Sequence, residues 1–144
     1  MDDPQSHVHA QCLLCGADHP RGIRLAFTTL ADGQVEAPFA CGRLYQGYAG
    51  VVHGGVIAAL LDSAMTNCLF AQGRVALTGE LGVRFLAPVR VECPAVVRAR
   101  LVESRPPLFR MSADLSQEGV VKARATARFM EVKTPLQEAL SGAK

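Results

Sequence analysis

One stretch limits what this chain can fold into more than any other. Between Val56 and Phe70 the only polar residues are Asp62, Ser63, Thr66 and Asn67. Val56, Ile57, Leu60, Leu61, Ala64, Met65, Cys68 and Leu69 recur at helical spacing and cover most of the circumference. The four polar residues stand at i, i+1, i+4 and i+5, which is one narrow stripe. The spacing predicts a helix from Gly54 to about Ala71, buried on nearly every side.

The sequence around that helix has a period of two. Ile23, Leu25 and Phe27 alternate with Arg24 and Thr28, and Val35, Ala37 and Phe39 follow after a turn at Ala31-Asp32-Gly33. Residues 40–52 are Gly-rich and read as a loop. After Gly73, Val75, Leu77, Leu81, Val83 and Phe85 alternate with Ala76, Thr78, Glu80 and Arg84, up to Pro88. Val91 to Leu101 reads as one long strand with a bulge or edge position at Pro94. Phe109 to Leu115 and Val121 to Phe129 make two more, joined at Gln117-Glu118-Gly119. Strands do not alternate with helices, so a doubly wound parallel sheet is excluded. The pattern predicts an α+β chain: an antiparallel sheet of five to six strands wrapped around one central helix. Residues 1–22 read as an irregular lead-in, 23–132 as the domain and 133–144 as a polar tail.

Composition narrows the class. The 144 residues suit one domain with short tails. Forty-nine per cent are hydrophobic against 19% charged, which hints at buried surface beyond a single subunit's core. A net charge of +2 gives no basis for nucleic-acid binding. No apolar run approaches the ~18 residues of a membrane span. Met1-Asp2-Asp3-Pro4 is acidic where a signal peptide is basic, so a cytoplasmic protein is expected. Five cysteines, an odd number, then read as reduced thiols. Cys12-Leu-Leu-Cys15 has His7, His9 and His19 nearby, which would complete a metal site on paper. A tight turn with two small buried thiols is the preferred reading, with no metal and no cofactor.

The stretch that carries chemistry is Tyr45 to Gly55 running into the helix with Asp62. Gly54-Gly55 at a helix start lets backbone approach a ligand closely. Unpaired N–H groups and the positive dipole end there favour an anion or oxyanion. A carboxylate at Asp62, among aliphatics, is costly unless paired or functional. It can serve as a general base near neutral pH if burial raises its pKa. His53 and Asp62 are nine residues apart, ~13.5 Å along the axis and on opposite faces. Two antiparallel helices from two subunits would bring one helix start to the other's Asp62. A shared site therefore requires a homo-oligomer, a dimer or a dimer of dimers.

His53-Gly54-Gly55 with Asp62, the Tyr45-Gln46-Gly47 lead-in and the Glu80-Leu81-x-Val83-x-Phe85-x-x-Pro88 run resemble hotdog-fold acyl-CoA thioesterases of the phenylacetyl-CoA thioesterase type. Cys12-x-x-Cys15-Gly16 followed by Pro20-x-Gly22 also looks like their lead-in, so the resemblance covers about residues 12–131. It implies a hotdog fold and hydrolysis of an acyl-CoA. Gly54 would hold the carbonyl oxygen, Asp62 would act as base or nucleophile, and His53 and Thr78 would support them. Where some members carry Asn, six residues before the His, this chain has Gly47, with Gln46 one position earlier. Gln46, Gly55, Arg84 and Arg105 are the expected substrate contacts, Arg105 leading for the coenzyme phosphates, with Lys122 and Arg124 as further candidates. A non-catalytic acyl-CoA binding or sensor protein is the alternative. Neither a serine-hydrolase elbow nor a nucleotide-binding Gly motif is present.

Overall fold

The computed structural model describes residues 8–133; His7 and the tail beyond Lys133 lie outside the described residues. The elements are β1 (Thr28–Thr29), β2 (Val35–Phe39), a 3-10 turn (Arg43–Tyr45), α1 (Gly54–Phe70), β3 (Ala76–Phe85), β4 (Ala95–Arg105), β5 (Leu108–Gln117) and β6 (Val120–Glu131). The strands form one sheet in the order β1-β2-β4-β5-β6-β3, and every neighbouring pair is antiparallel. Helix α1 lies across β2 to β6. The expected sheet around one helix is therefore what forms, with six strands.

The apolar circumference of α1 explains its place. Leu60, Leu61, Ala64, Met65 and Leu69 are buried against Val97, Phe109, Met111, Leu115 and Phe129 of the sheet. Burying one such large aliphatic contributes ~1.5–3 kcal/mol. The polar stripe is not solvated: Ser63, Thr66 and Asn67 are buried. Thr66 and Asn67 donate back to the carbonyls of Asp62 and Ser63, at 3.0 and 2.9 Å, which satisfies them inside the helix. No helix among the described residues is long and apolar enough to cross a membrane.

The turns follow their sequence. Gly33 takes a φ of +86°, and Asp32 accepts from the Gln34 N–H at 3.1 Å. That bond holds the Asp32 carboxyl below its usual range. Glu118 and Gly119 both take positive φ, +51° and +78°, as a two-residue hairpin between twisted strands requires.

Three expectations need correction. The strand expected over Ile23–Thr28 shrinks to Thr28–Thr29. Arg24 adopts a φ of +58°, and the Ile23 and Leu25 N–H groups donate to Leu13 and Leu14 of the lead-in, not to a strand. The strand expected from Val91 begins only at Ala95. Glu92 takes a φ of +57°, and the buried Gln117 amide donates to the carbonyls of Arg90 and Cys93, which pins that segment as a loop. The third concerns β3. A register shift between Thr78 and Glu80 places one extra residue, Gly79, in the strand. Before it, Ala76 and Thr78 face the helix; after it, Leu81, Val83 and Phe85 do, since they lie opposite the buried Ala127, Ala125 and Ala123. Leu77 was expected on the face of Leu81 and is on the other one.

Candidate active site

The helix start is built by His53. It is the N-cap, and its Nδ1 accepts the Gly55 N–H at 2.8 Å. Its carbonyl accepts from Val56 and Ile57, at 3.0 and 3.1 Å. Of the first four amides of α1, only Gly54 N–H meets no acceptor among the described residues. Gly55 was expected to share in substrate binding, but its N–H is engaged by the cap. The glycine there has another reason: a Cβ would lie 3.0 Å from His53 Cε1.

Gly54 opens into a cleft of about 820 Å³ lined by Tyr48, Val51, His53, Ile57, Phe85 and Leu86, among others. The wall is largely apolar, as a site that excludes water requires. Gln46 does not line it; its Oε1 accepts the Gly50 N–H at 3.2 Å and fixes the loop before the helix. Gly47, the residue after it, does line the cleft. Tyr48 and Leu86 were not singled out from sequence; their surroundings of loop glycines and the nearby Pro88 carry no periodic signal.

Asp62 and Thr78, sixteen residues apart, meet. Thr78 Oγ1 donates to Asp62 Oδ1 at 2.6 Å, a short charge-assisted bond. The Gly79 bulge makes this possible, because it sets Thr78 on the helix side of β3. Asp62 is half-buried and Thr78 exposed, so solvent and substrate can reach the pair. Asp62 shares a helix face with Gly55 and Ala59, at i−7 and i−3. Those two line a second cleft of about 460 Å³ with Leu13, Ile23, Leu44 and Tyr45. Gly54 and Asp62 therefore do not line a common cleft within one chain.

The basic candidates divide. Arg105, the last residue of β4, pairs with Glu103 of the same strand at 2.7 Å. Its row of the sheet neighbours that of Thr78, but three strand spacings away, ~14 Å. Arg84 and Arg124 stand directly opposite each other on β3 and β6 and have no ion pair among the described residues. They flank a groove of about 420 Å³ that shares Leu86 with the large cleft. Lys122 follows on β6, its carbonyl accepting from Leu86 at 2.9 Å.

A profile of the thioesterase superfamily matches residues 49–124, which contain the helix, Asp62, Thr78 and the edge strand. The acyl-coenzyme A thioesterase THEM4 of Rattus norvegicus is 28% identical over 108 residues, 74% of this chain and 46% of its own length. The chain spans less than half the length of the curated relatives it matches. A phenylacetic acid degradation-related protein of Ralstonia eutropha JMP134 superposes with a TM-score of 0.68 at 26% identity, over 75% of this chain and 85% of that one. A thioesterase protein of Streptococcus pneumoniae, solved with coenzyme A, shares the fold with a TM-score of 0.70 at 18% identity, over 74% and 87%.

Proposed function

The chain belongs to the thioesterase superfamily, and from that premise we propose that it hydrolyses an acyl-CoA thioester to the free acid and coenzyme A. The observation that carries this reading is the Thr78–Asp62 bond: a carboxylate held in one orientation on a half-buried helix face. A coenzyme A complex of a protein with this fold and the name of the THEM4 relative point the same way.

The reaction follows from these groups. The thioester carbonyl sits at the helix start, its oxygen toward Gly54 N–H. Water attacks the carbonyl carbon and Asp62 takes its proton. The tetrahedral oxyanion gathers on the Gly54 donor and the dipole end of α1. The C–S bond breaks, coenzyme A leaves as thiolate and is protonated, and the acid departs. Thr78 keeps one carboxylate oxygen of Asp62 fixed, and His53 holds the first turn so that Gly54 N–H stays aimed at the cleft. Direct attack by Asp62 would expel coenzyme A thiolate and give a mixed anhydride; water cleaving it at Asp62 Cγ puts solvent ¹⁸O into Asp62, which water attack on the thioester does not. Arg84 and Arg124, in no ion pair among the described residues and beside the cleft, are placed to hold coenzyme phosphates, whereas Arg105 shares Glu103 with Arg110 at a distance from it.

The site is shared by two subunits in this reading. Gly54 lines the large cleft and Asp62 does not, and ~12 Å of helix separates them. The β3 edge beside them leaves Leu81 and Phe85 37% and 55% exposed on its helix side, an apolar surface suited to a second copy. Release of free thiol is measured over a panel of aromatic, short and medium-chain acyl-CoAs. Turnover of at least one is expected; tight binding without thiol release across the panel would make this a binding protein instead. Mixing two inactive variants, Asp62→Asn and Gly54→Pro, tests the sharing. Each mixed dimer contains one intact composite site, so activity returns on mixing. No recovery after subunit exchange would place both groups of each site in one chain.

A further inference from the structure

The lead-in loop holds a side-chain cluster that the thioesterase reading does not use. The ligand atoms of His9, Cys12 and Cys15 all lie within 4.8 Å of one another. We propose that they bind a thiophilic divalent cation of the zinc class, which ties the lead-in to the far end of α1.

Geometry comes first. His9 Nδ1 lies 3.4 Å from Cys15 Sγ. Zinc bonds of ~2.3 Å to sulfur and ~2.0–2.1 Å to nitrogen, at a tetrahedral angle, put those two atoms about 3.6 Å apart. An ion fits between them with little movement. The loop is shaped as a metal-binding thiolate turn needs. Cys12 Sγ accepts the backbone N–H of Leu14 at 3.4 Å, the kind of donor that stabilises sulfur carrying negative charge. Gly16 closes the turn, its N–H on the Cys12 carbonyl at 2.9 Å. A Cβ at Gly16 would fall 2.4 to 2.7 Å from the backbone of Ala10 and Cys12, so only glycine fits.

The surroundings hold the ligands in place. Cys15 is buried, and the His9 ring stands edge-on to Phe70, the last residue of α1, at 4.8 Å. Leu13 and Leu14 on the same loop accept the N–H groups of Ile23 and Leu25. His19, also expected nearby, is outside the cluster, and its Nδ1 accepts the Arg21 N–H at 3.1 Å. Among the described residues the cluster has three ligands, which leaves one tetrahedral position for a further donor. The spacing His9-x-x-Cys12-x-x-Cys15 supplies softness through two sulfurs, which selects zinc over calcium or magnesium.

The test uses the full chain, purified under reducing conditions without chelator. Elemental analysis is expected to find stoichiometric zinc. Cobalt titrated into metal-stripped protein is expected to give thiolate-to-cobalt charge-transfer absorption, and zinc to raise Tm. His9→Ala and Cys12→Ser should each lose the metal. If a cysteine variant fails to fold, the cobalt spectrum of the unaltered chain still decides. Absence of both stoichiometric metal and cobalt–sulfur bands would overturn the proposal. So would metal that survives Cys12→Ser combined with His9→Ala.

Discussion

The two halves of α1 are built to different rules. From Leu60 to Phe70 every residue except Asp62 is buried, whereas from Gly54 to Ala59 only Ile57 is. The C-terminal half meets the sheet with Leu, Met and Phe and has Thr66 and Asn67 turned back on its own carbonyls. The N-terminal half presents glycine and alanine to two clefts and leaves the Gly54 amide open. One element thus anchors the fold at one end and offers chemistry at the other. Asp62 sits two residues into the buried half, where packing fixes its Cα while its carboxylate still reaches Thr78. Rigidity for the site comes from the half that does not touch substrate.

That division can be broken deliberately, in order of expected effect. Asp62→Asn removes the proton acceptor but keeps shape, so kcat should fall ~10²–10⁴-fold with Tm nearly unchanged. Thiol-release kinetics beside a melting curve check this, and an active Asp62→Asn would remove Asp62 from the reaction. Leu61→Ala, one residue away and fully buried, should do the reverse. It should cost ~2–5 kcal/mol in denaturant unfolding while the folded fraction keeps its turnover.

Gly54→Pro sharpens the contrast. Proline suits the first helical position, and His53, with ψ of 133°, already has the extended conformation a residue before proline needs. The N–H is lost and ring carbon takes its place at the cleft, so a fall in kcat of at least ~10²–10³-fold with an intact fold is expected. His53→Ala deprives Gly55 N–H of its acceptor and should cost ~0.5–2 kcal/mol of stability, with a smaller loss of turnover than Gly54→Pro.

The mildest test addresses how sealed the buried half is. Burial pushes the Cys68 thiol up to about 11. Cys68 should therefore resist alkylation in the native protein at pH 8. The unfolded thiol ionises near 9 and the folded one near 11, so folded stability is retained below pH 9 and lost between 9 and 11. Alkaline unfolding monitored with Cys68→Ala as reference checks the sign: the variant should lose less stability over that interval.

Much of this protein was legible in its residues. The apolar run of α1, the period-two strands and the hairpins at Asp32-Gly33 and Glu118-Gly119 are local patterns, set by 3.6 residues per turn, two per pleat, or a required φ. They determined an antiparallel sheet around one helix; Gly54, His53 and Asp62 stood out by residue type at the helix start, and Thr78 only through the family resemblance. Tertiary structure alone decided the rest, because it depends on partners distant in sequence. Strand order and the Gly79 bulge arise from pairing β3 with β6, and the bulge is what turns Thr78 toward Asp62. The Ile23–Phe27 alternation reports burial, yet its N–H groups found the lead-in loop before any strand. Gly55 and Gly54 are indistinguishable as letters; the His53 ring takes one amide and leaves the other open to the cleft.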